Sequence, residues 1–391
     1  MAKKLKLGRV ALNSMRRRFL PIGQGAFYCE SFMLPGADEP FNVVFDCGVD
    51  PKSCVDERLA KIDLSFLGPS RTIHVLFISH FDCDHYDGVD VLRDTYNVTF
   101  KHVYYPGIDM KDKWLMELWL KLSGQQDSFI YDLCLNQPSA SAQLPNAKLI
   151  PIPPTPPITD SRRQTDPTSD PSNLQLTDLL QAIGRPPLPT GNPFQRWTFR
   201  NFNYRNEALI KNLRTTVFNR FLKSKSKNRI WSNPAKRNAI VRSYKTATKG
   251  DGNAYSMTMY SGIAAHYPSA LQQNLMCCRT RNCPLTMAFK PGCLYTGDYN
   301  ATIPLHWKKL KEHFELNWPE IGCVQIPHHG SCQGFNPQFL DMDAIFVASV
   351  GTDNSYRHPT PNVLLTFQQR NKHLFCVTED VNSCLCTMVS C

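Results

Sequence analysis

The stretch that most constrains this chain is "FISHFDCDHYDGV", Phe77 to Val89. An apolar, β-branched run, "TIHVLFIS", reads as a strand, and it discharges at its C-terminal end into H-x-D-x-D-H. His80 and Asp82 are two apart and Asp84 and His85 are adjacent, so one turn can send two ligands toward one ion and two toward another. A lone histidine is usually a satisfied structural residue. Four imidazoles and carboxylates in six residues instead point to a dinuclear metal centre, with Zn, Mn or Fe favoured over Ca because imidazole nitrogen suits transition metals.

Other segments repeat the pattern of an apolar run ending in polar residues. "FNVVFDCG" precedes the cluster, and "GCLYTGD", "IGCVQIPHHG" and "DAIFVASVG" follow much later. Each reads as a strand delivering polar residues at its C-terminal end, and Val89, Leu92 and Tyr96 have helical spacing directly after the cluster. A layered α/β architecture with a site along the strand ends follows.

Charge is unevenly placed. The chain of 391 residues has a net charge of +11, yet Arg196 to Lys249 holds fifteen Lys or Arg against one acid, Glu207. Trp197, Phe199, Phe202, Tyr204, Phe218, Phe221, Trp231 and Tyr244 are interleaved with those charges, a composition suited to phosphate backbones and stacked bases. A solvated face with inward-packed aromatics is the alternative. A Pro- and Ser-rich tract precedes this segment. Residues 136–249 are therefore expected to form a Pro-rich linker and basic insertion between two halves of one domain, 1–135 and 250–391.

No run reaches the length of a membrane helix, and "MAKKLKLGRVALNSMRRRF" lacks an apolar signal region, so a cytoplasmic protein with no membrane partner is expected. The fifteen cysteines then read as reduced thiols. Cys277, Cys278 and Cys283 lack a matching C-x-x-C and read as ordinary thiols in preference to a zinc site.

The ordered blocks "PIGQGAFYCESF", "FDCG", "SHFDCDH", "NAYSMTMYSG", "LYTGD", "IPHHGS" and "SVGTDNSYRHPTPNVL" resemble the metallo-β-lactamase superfamily, and more narrowly the hydrolase domain of the ComEC competence proteins. The resemblance implies an αββα sandwich. It also implies metal ligation by His80, Asp82, Asp84, His85, Asp298 and His328, with Asp298 bridging two divalent ions, Zn or Mn. His329 would lie within reach, His358 would contact a phosphate or protonate the leaving group, and Gln24 and Asp46 would brace the site. The sequence departs from the family at "GQGAF", which lacks the usual acid, and it contains no counterpart of the competence proteins' membrane channel. The usual intermediate histidine ligand is not evident either, His102 and His266 being the candidates.

The expected activity is dinuclear metal-dependent hydrolysis of a phosphodiester in DNA or RNA by a metal-bound hydroxide, with Asp84, His329 and His358 as the catalytic set. Hydrolysis of a small nucleotide or ester is the alternative within enzymes. A different alternative is an effector hydrolase of a defence system, switched on by a partner protein docked on the basic insertion.

Overall fold

The computed structural model describes residues 13–125, 128–135, 137–156, 172–222, 233–248, 255–265, 270–276 and 288–391. Among the described residues, sixteen strands form two mixed sheets. The first contains β1 (Ser14–Phe19), β2 (Gly25–Met33), β3 (Phe41–Val49), β4 (Thr72–Phe77), β5 (Thr99–Pro106), β6 (Lys148–Ile152), β10 (Gln272–Met276), β11 (Ala288–Phe289) and β16 (Leu385–Ser390). Its order is β11-β10-β16-β1-β2-β3-β4-β5-β6. The second contains β7 (Asn173–Gln175), β8 (Trp197–Arg205), β9 (Tyr255–Ile263), β12 (Gly292–Tyr295), β13 (Ile321–Gln325), β14 (Ile345–Ser349) and β15 (Leu374–Val377), in the order β15-β14-β13-β12-β9-β8-β7.

Three apolar clusters separate four layers. Alternate residues of each central strand go to opposite clusters, which is why strands covered on both faces read as continuous apolar runs. Val43 and Phe45 of β3, with Val75 and Phe77 of β4, meet Met257, Cys293 and Val347 between the sheets. On the other face of the first sheet, Val44 and Leu76 pack against Leu59, Leu92, Leu118 and Ile130 from a helical layer. Beyond the second sheet, Val324 and Phe346 pack against Leu310 and Phe314 of the helix Pro304–Phe314 and Phe367 of the helix Pro361–Gln369. This is an αββα sandwich, the layering that the sequence resemblance implied.

The segment 136–249 does not stand apart as an insertion among its described residues. β6 closes one edge of the first sheet, and β8 pairs with β9 over its full length in the second. Four of the aromatics read as a nucleic-acid surface, Trp197, Phe199, Phe202 and Tyr204, are buried core residues of β8. Phe218 packs on Trp114 at 4.8 Å between ring centroids. Trp231 lies outside the described residues, and Tyr244 belongs to the helix Pro234–Thr248, which joins the helical layer through Ile240. The cations are partly consumed as well, since Arg205 and Arg214 both pair with the fully buried Asp112. A buried carboxylate that accepts from two guanidiniums and the Tyr255 hydroxyl ties this helical segment to β8 and β9.

None of the twelve described cysteines is in a disulfide, whereas Cys277, Cys278 and Cys283 lie outside the described residues. No described helix is long and apolar enough to cross a membrane.

Candidate metal centre

Strand ends from both sheets build the site. β4 leads into a short turn, Cys83–His85, that carries the H-x-D-x-D-H cluster. β12 runs into Thr296, Gly297 and Asp298, and β13 into a tight turn at Pro327–Gly330. Two glycines make the approach possible. A Cβ on Gly48, at the end of "FDCG", would stand 2.3 Å from the Asp84 carbonyl carbon and 2.4 Å from the His85 nitrogen. Gly297 has φ of +52° and would place a Cβ 2.8 Å from Ser79. His328 and His329 also sit at positive φ, 51° and 53°, a conformation that non-glycine residues adopt at some cost and that here aims two imidazoles from consecutive positions.

Hydrogen bonds fix which nitrogen each buried imidazole presents. Asp46 is fully buried, and its carboxylate accepts from the Ser79 backbone N–H at 2.7 Å, the Ser79 hydroxyl at 2.7 Å and His85 Nδ1 at 2.8 Å. The single Ser79 hydroxyl proton goes to Asp46, so its oxygen is left to accept from His80 Nδ1 at 2.9 Å. His329 Nδ1 donates to the Ser349 carbonyl oxygen at 2.8 Å. All three rings therefore turn Nε2 toward the carboxylates of Asp82, Asp84 and Asp298. Gln325, at the end of β13, accepts from the backbone N–H groups of Thr296 and Gly297 at 2.7 and 2.8 Å and so ties the Asp298 turn to the histidine turn.

The donor atoms converge in three overlapping sets, His80–Asp84–His85, His85–Asp298–His329 and His80–Asp82–Asp298, each within 4.8 Å. His80 Nε2, His85 Nε2, Asp82 Oδ1 and Asp298 Oδ1 are buried with no hydrogen-bond partner. Buried polar atoms are ordinarily paired, and four orphans facing one another in an imidazole–carboxylate cluster fit divalent cations. Protonation points the same way. Burial pushes the Asp298 carboxyl up, but His328, His85 and His80 outweigh it and hold it well below the usual carboxylate range. Asp84, likewise raised by burial, is brought down to about 2 by His85 and His329. His85 is depressed by burial yet raised overall by Asp84, Asp46 and Asp298. Two of the same carboxylates, Asp84 and Asp298, draw His329 up against its burial, and a divalent cation can take the place of the protons so attracted to His85 and His329.

The structure brings together His80, Asp82, Asp84, His85, Asp298, His328, His329 and His358. It differs from the sequence reading in how the paired histidines divide their roles. His329, assigned there as a neighbouring catalytic group, is 3% exposed and completes a donor set with His85 and Asp298. His328, assigned as the ligand, is 33% exposed, joins none of the three sets, and has its Nε2 3.6 Å from Asp298 Oδ2. His358 lines the same cavity with Nδ1 unpartnered, and its backbone is pinned by Asn354, which accepts from His358 N at 2.8 Å. Gln24 lines the cavity too, with its side-chain oxygen 3.4 Å from the Gly351 N–H. His102 lies mid-strand in β5 with Lys148 as its register partner and belongs to none of the sets, while His266 is outside the described residues. Ser79 and Gln325 were not singled out from the sequence. Ser79 stands next to the motif, but an ordinary polar side chain carries no signal of what it touches.

No family model matches the chain, and no curated protein matches it. Similar solved structures include the metallo-β-lactamase fold protein YhfI from Bacillus subtilis, 8% identical, with a TM-score of 0.38 over 93% of this chain and 96% of that one. They also include unliganded yeast PDE1, 9% identical, with a TM-score of 0.42 over 96% of this chain and 99% of that one.

Proposed function

We propose that the chain is a hydrolase dependent on two divalent metal ions, Zn or Mn, that cleaves phosphodiesters in nucleic acid. The observation that carries this reading is the convergence of three histidine Nε2 atoms on Asp82, Asp84 and Asp298, with four buried donor atoms unpartnered. His80, Asp82, Asp84, His85, Asp298 and His329 would hold the ions, with His328 available from the solvent side. Divalent ions held there supply Lewis acidity and make water nucleophilic at neutral pH.

The chain's own groups define the rest. The cluster forms one end of a cavity of about 640 Å³, large enough for a nucleotide-sized group. Four carboxylates line it, Asp50, Asp82, Asp84 and Asp298, so an anionic substrate is repelled until bound cations reverse the local charge. Burial, with His328 and His329 nearby, holds His358 down at about 4. His358 is thus neutral at pH 7, suited to donating a hydrogen bond to a substrate oxygen. The phosphodiester assignment is supported by the adjoining helix Pro234–Thr248, whose sequence holds four cations and no acid.

The test is metal content by mass spectrometry of the purified protein, together with Mn- or Zn-dependent cleavage of single- and double-stranded DNA, RNA and a chromogenic diester. Two metals per chain, with cleavage abolished in Asp84→Ala, is the expected result. Full activity in that variant would overturn the assignment, and cleavage of the chromogenic diester alone would redirect it to small substrates.

A further inference from the structure

The cavity has a second end that the metal chemistry does not use. Two helices supply it, and each turns one face inward. On the helix Pro234–Thr248 the lining residues are Val241, Tyr244, Lys245 and Thr248, spaced as one helical face. On the helix Lys113–Leu122 they are Trp119 and Leu122. Trp119 and Tyr244 stack across the helix pair with ring centroids 5.6 Å apart and an interplanar angle of 25°, so the phenol backs the indole where both line the cavity. Tyr244 is buried, whereas Trp119 is partly exposed.

Lys245 is the one Lys or Arg among the described lining residues, and it is exposed, with no carboxylate paired to it among the described residues. Lys236, Arg237 and Arg242 are exposed on the same helix. A stacked aromatic pair beside a cation with no carboxylate partner among the described residues, sharing one cavity with a candidate metal-binding cluster, has the composition of a site for a planar ring carried on an anionic backbone.

We infer that Trp119, Tyr244 and Lys245 form a nucleobase subsite, in which a base stacks on Trp119 while Lys245 meets a phosphate flanking the one cleaved. This rests on the phosphodiester reading of the metal centre and adds to it a preference for unpaired bases, because a base must leave a duplex to stack in a cavity wall. The aromatic element comes from two parts of the chain more than a hundred residues apart, so the basic stretch alone does not contain it.

The test measures binding separately from turnover. A fluorescein-labelled single-stranded tetranucleotide with cleavage-resistant phosphorothioate links is titrated with the metal-loaded protein, alongside an abasic strand of the same length. The base-bearing strand is expected to bind at least about tenfold more tightly, within the range that one stacked base supplies. Trp119→Leu should erase that difference and leave abasic binding unchanged, while Trp119→Phe, which keeps a ring, should retain most of it. Lys245→Gln should weaken both strands by the same factor and reduce the salt dependence. Equal binding of the two strands by the wild-type protein, or a preference that survives Trp119→Leu in a folded variant, would overturn the subsite. Cleavage of unmodified strands, run in parallel, separates the two proposals: cleavage without a base preference removes the subsite alone, and a base preference without cleavage removes the hydrolase alone.

Discussion

Replacing Asp46 by Asn changes one buried atom and tests the logic of the whole centre. The substitution suits the backbone, because position 46 has φ of +56° and Asn tolerates that region well. It does not suit the hydrogen bonds. Asp46 Oδ1 accepts from the Ser79 N–H, and Oδ2 accepts from both Ser79 Oγ and His85 Nδ1. An amide placed with its nitrogen at the Oδ1 position confronts the backbone N–H. Turned the other way, the NH2 meets His85 Nδ1, which must then give up its proton to accept, and the remaining ring proton moves to Nε2, the atom aimed at the metal cluster. Either arrangement strands a donor or spoils a ligand. Loss of such a supporting group typically lowers metal affinity about 10- to 100-fold, or roughly 1.4–2.8 kcal/mol. Loss of charge-assisted bonds in a buried setting should reduce stability by about 1.5–3 kcal/mol. Competition against a calibrated chelator measures the first quantity and urea denaturation of the chelated protein the second. Unchanged metal affinity in a folded Asp46→Asn protein would refute the claim that Asp46 sets the His85 tautomer.

Gly48→Ala should reduce stability by about 1–3 kcal/mol and impair metal binding together, because its methyl has to displace the Asp84–His85 backbone; normal metal stoichiometry would contradict this. Burial, aided by neighbouring cations, depresses both His74 and His313 to about 3, so the unfolded chain takes up protons near pH 6.5 that the native state refuses. Their contribution is complete above pH 6.5 and is lost as pH falls toward 3, by about 2 kcal/mol per residue at pH 5; urea midpoints at pH 7 and 5 should show it, with a smaller difference in His74→Gln. Glu30→Ala should cost about 3–5 kcal/mol, because it leaves the fully buried Arg17 without its carboxylate, and a thermal melt unchanged from wild type would show the pair to be dispensable.

The convergence of the candidate donor groups was more legible in the sequence than the sheets that hold them. Ligand chemistry is local: H-x-D-x-D-H, T-G-D and P-H-H-G each announce themselves within a few residues, and each ends an apolar run that the structure shows as β4, β12 or β13. β8 shows why other elements were missed. Its sequence, "WTFRNFNYR", buries Asn201 and Asn203 completely, and Asn203 donates to the Gly107 and Ile152 carbonyls, so polar residues occupy positions where an apolar pattern would have shown a strand. β1 is a second case. "SMRRRF" looks like a solvated basic stretch, yet Arg17 is fully buried between Glu30 and Gln273, partners 13 and 256 positions away. A side chain that is neutralised by a distant residue carries no local sign of it. Which of His328 and His329 falls within a candidate donor set likewise depends on backbone angles at a turn that two identical adjacent residues cannot reveal.

The position of β16 has a consequence for how the molecule is made. Leu385–Ser390 lie between β1 and β10, with Arg17 facing Thr387 in the ladder, so strands from opposite ends of the described chain are neighbours inside the first sheet. During synthesis β1 can pair with β2 early, but its other edge has no partner until β16, which begins at Leu385, has been translated. A nascent chain of this kind carries an open strand edge until β16 arrives, the condition in which β-rich intermediates attract other chains. Three consecutive arginines on that edge keep it charged and discourage premature pairing while it waits.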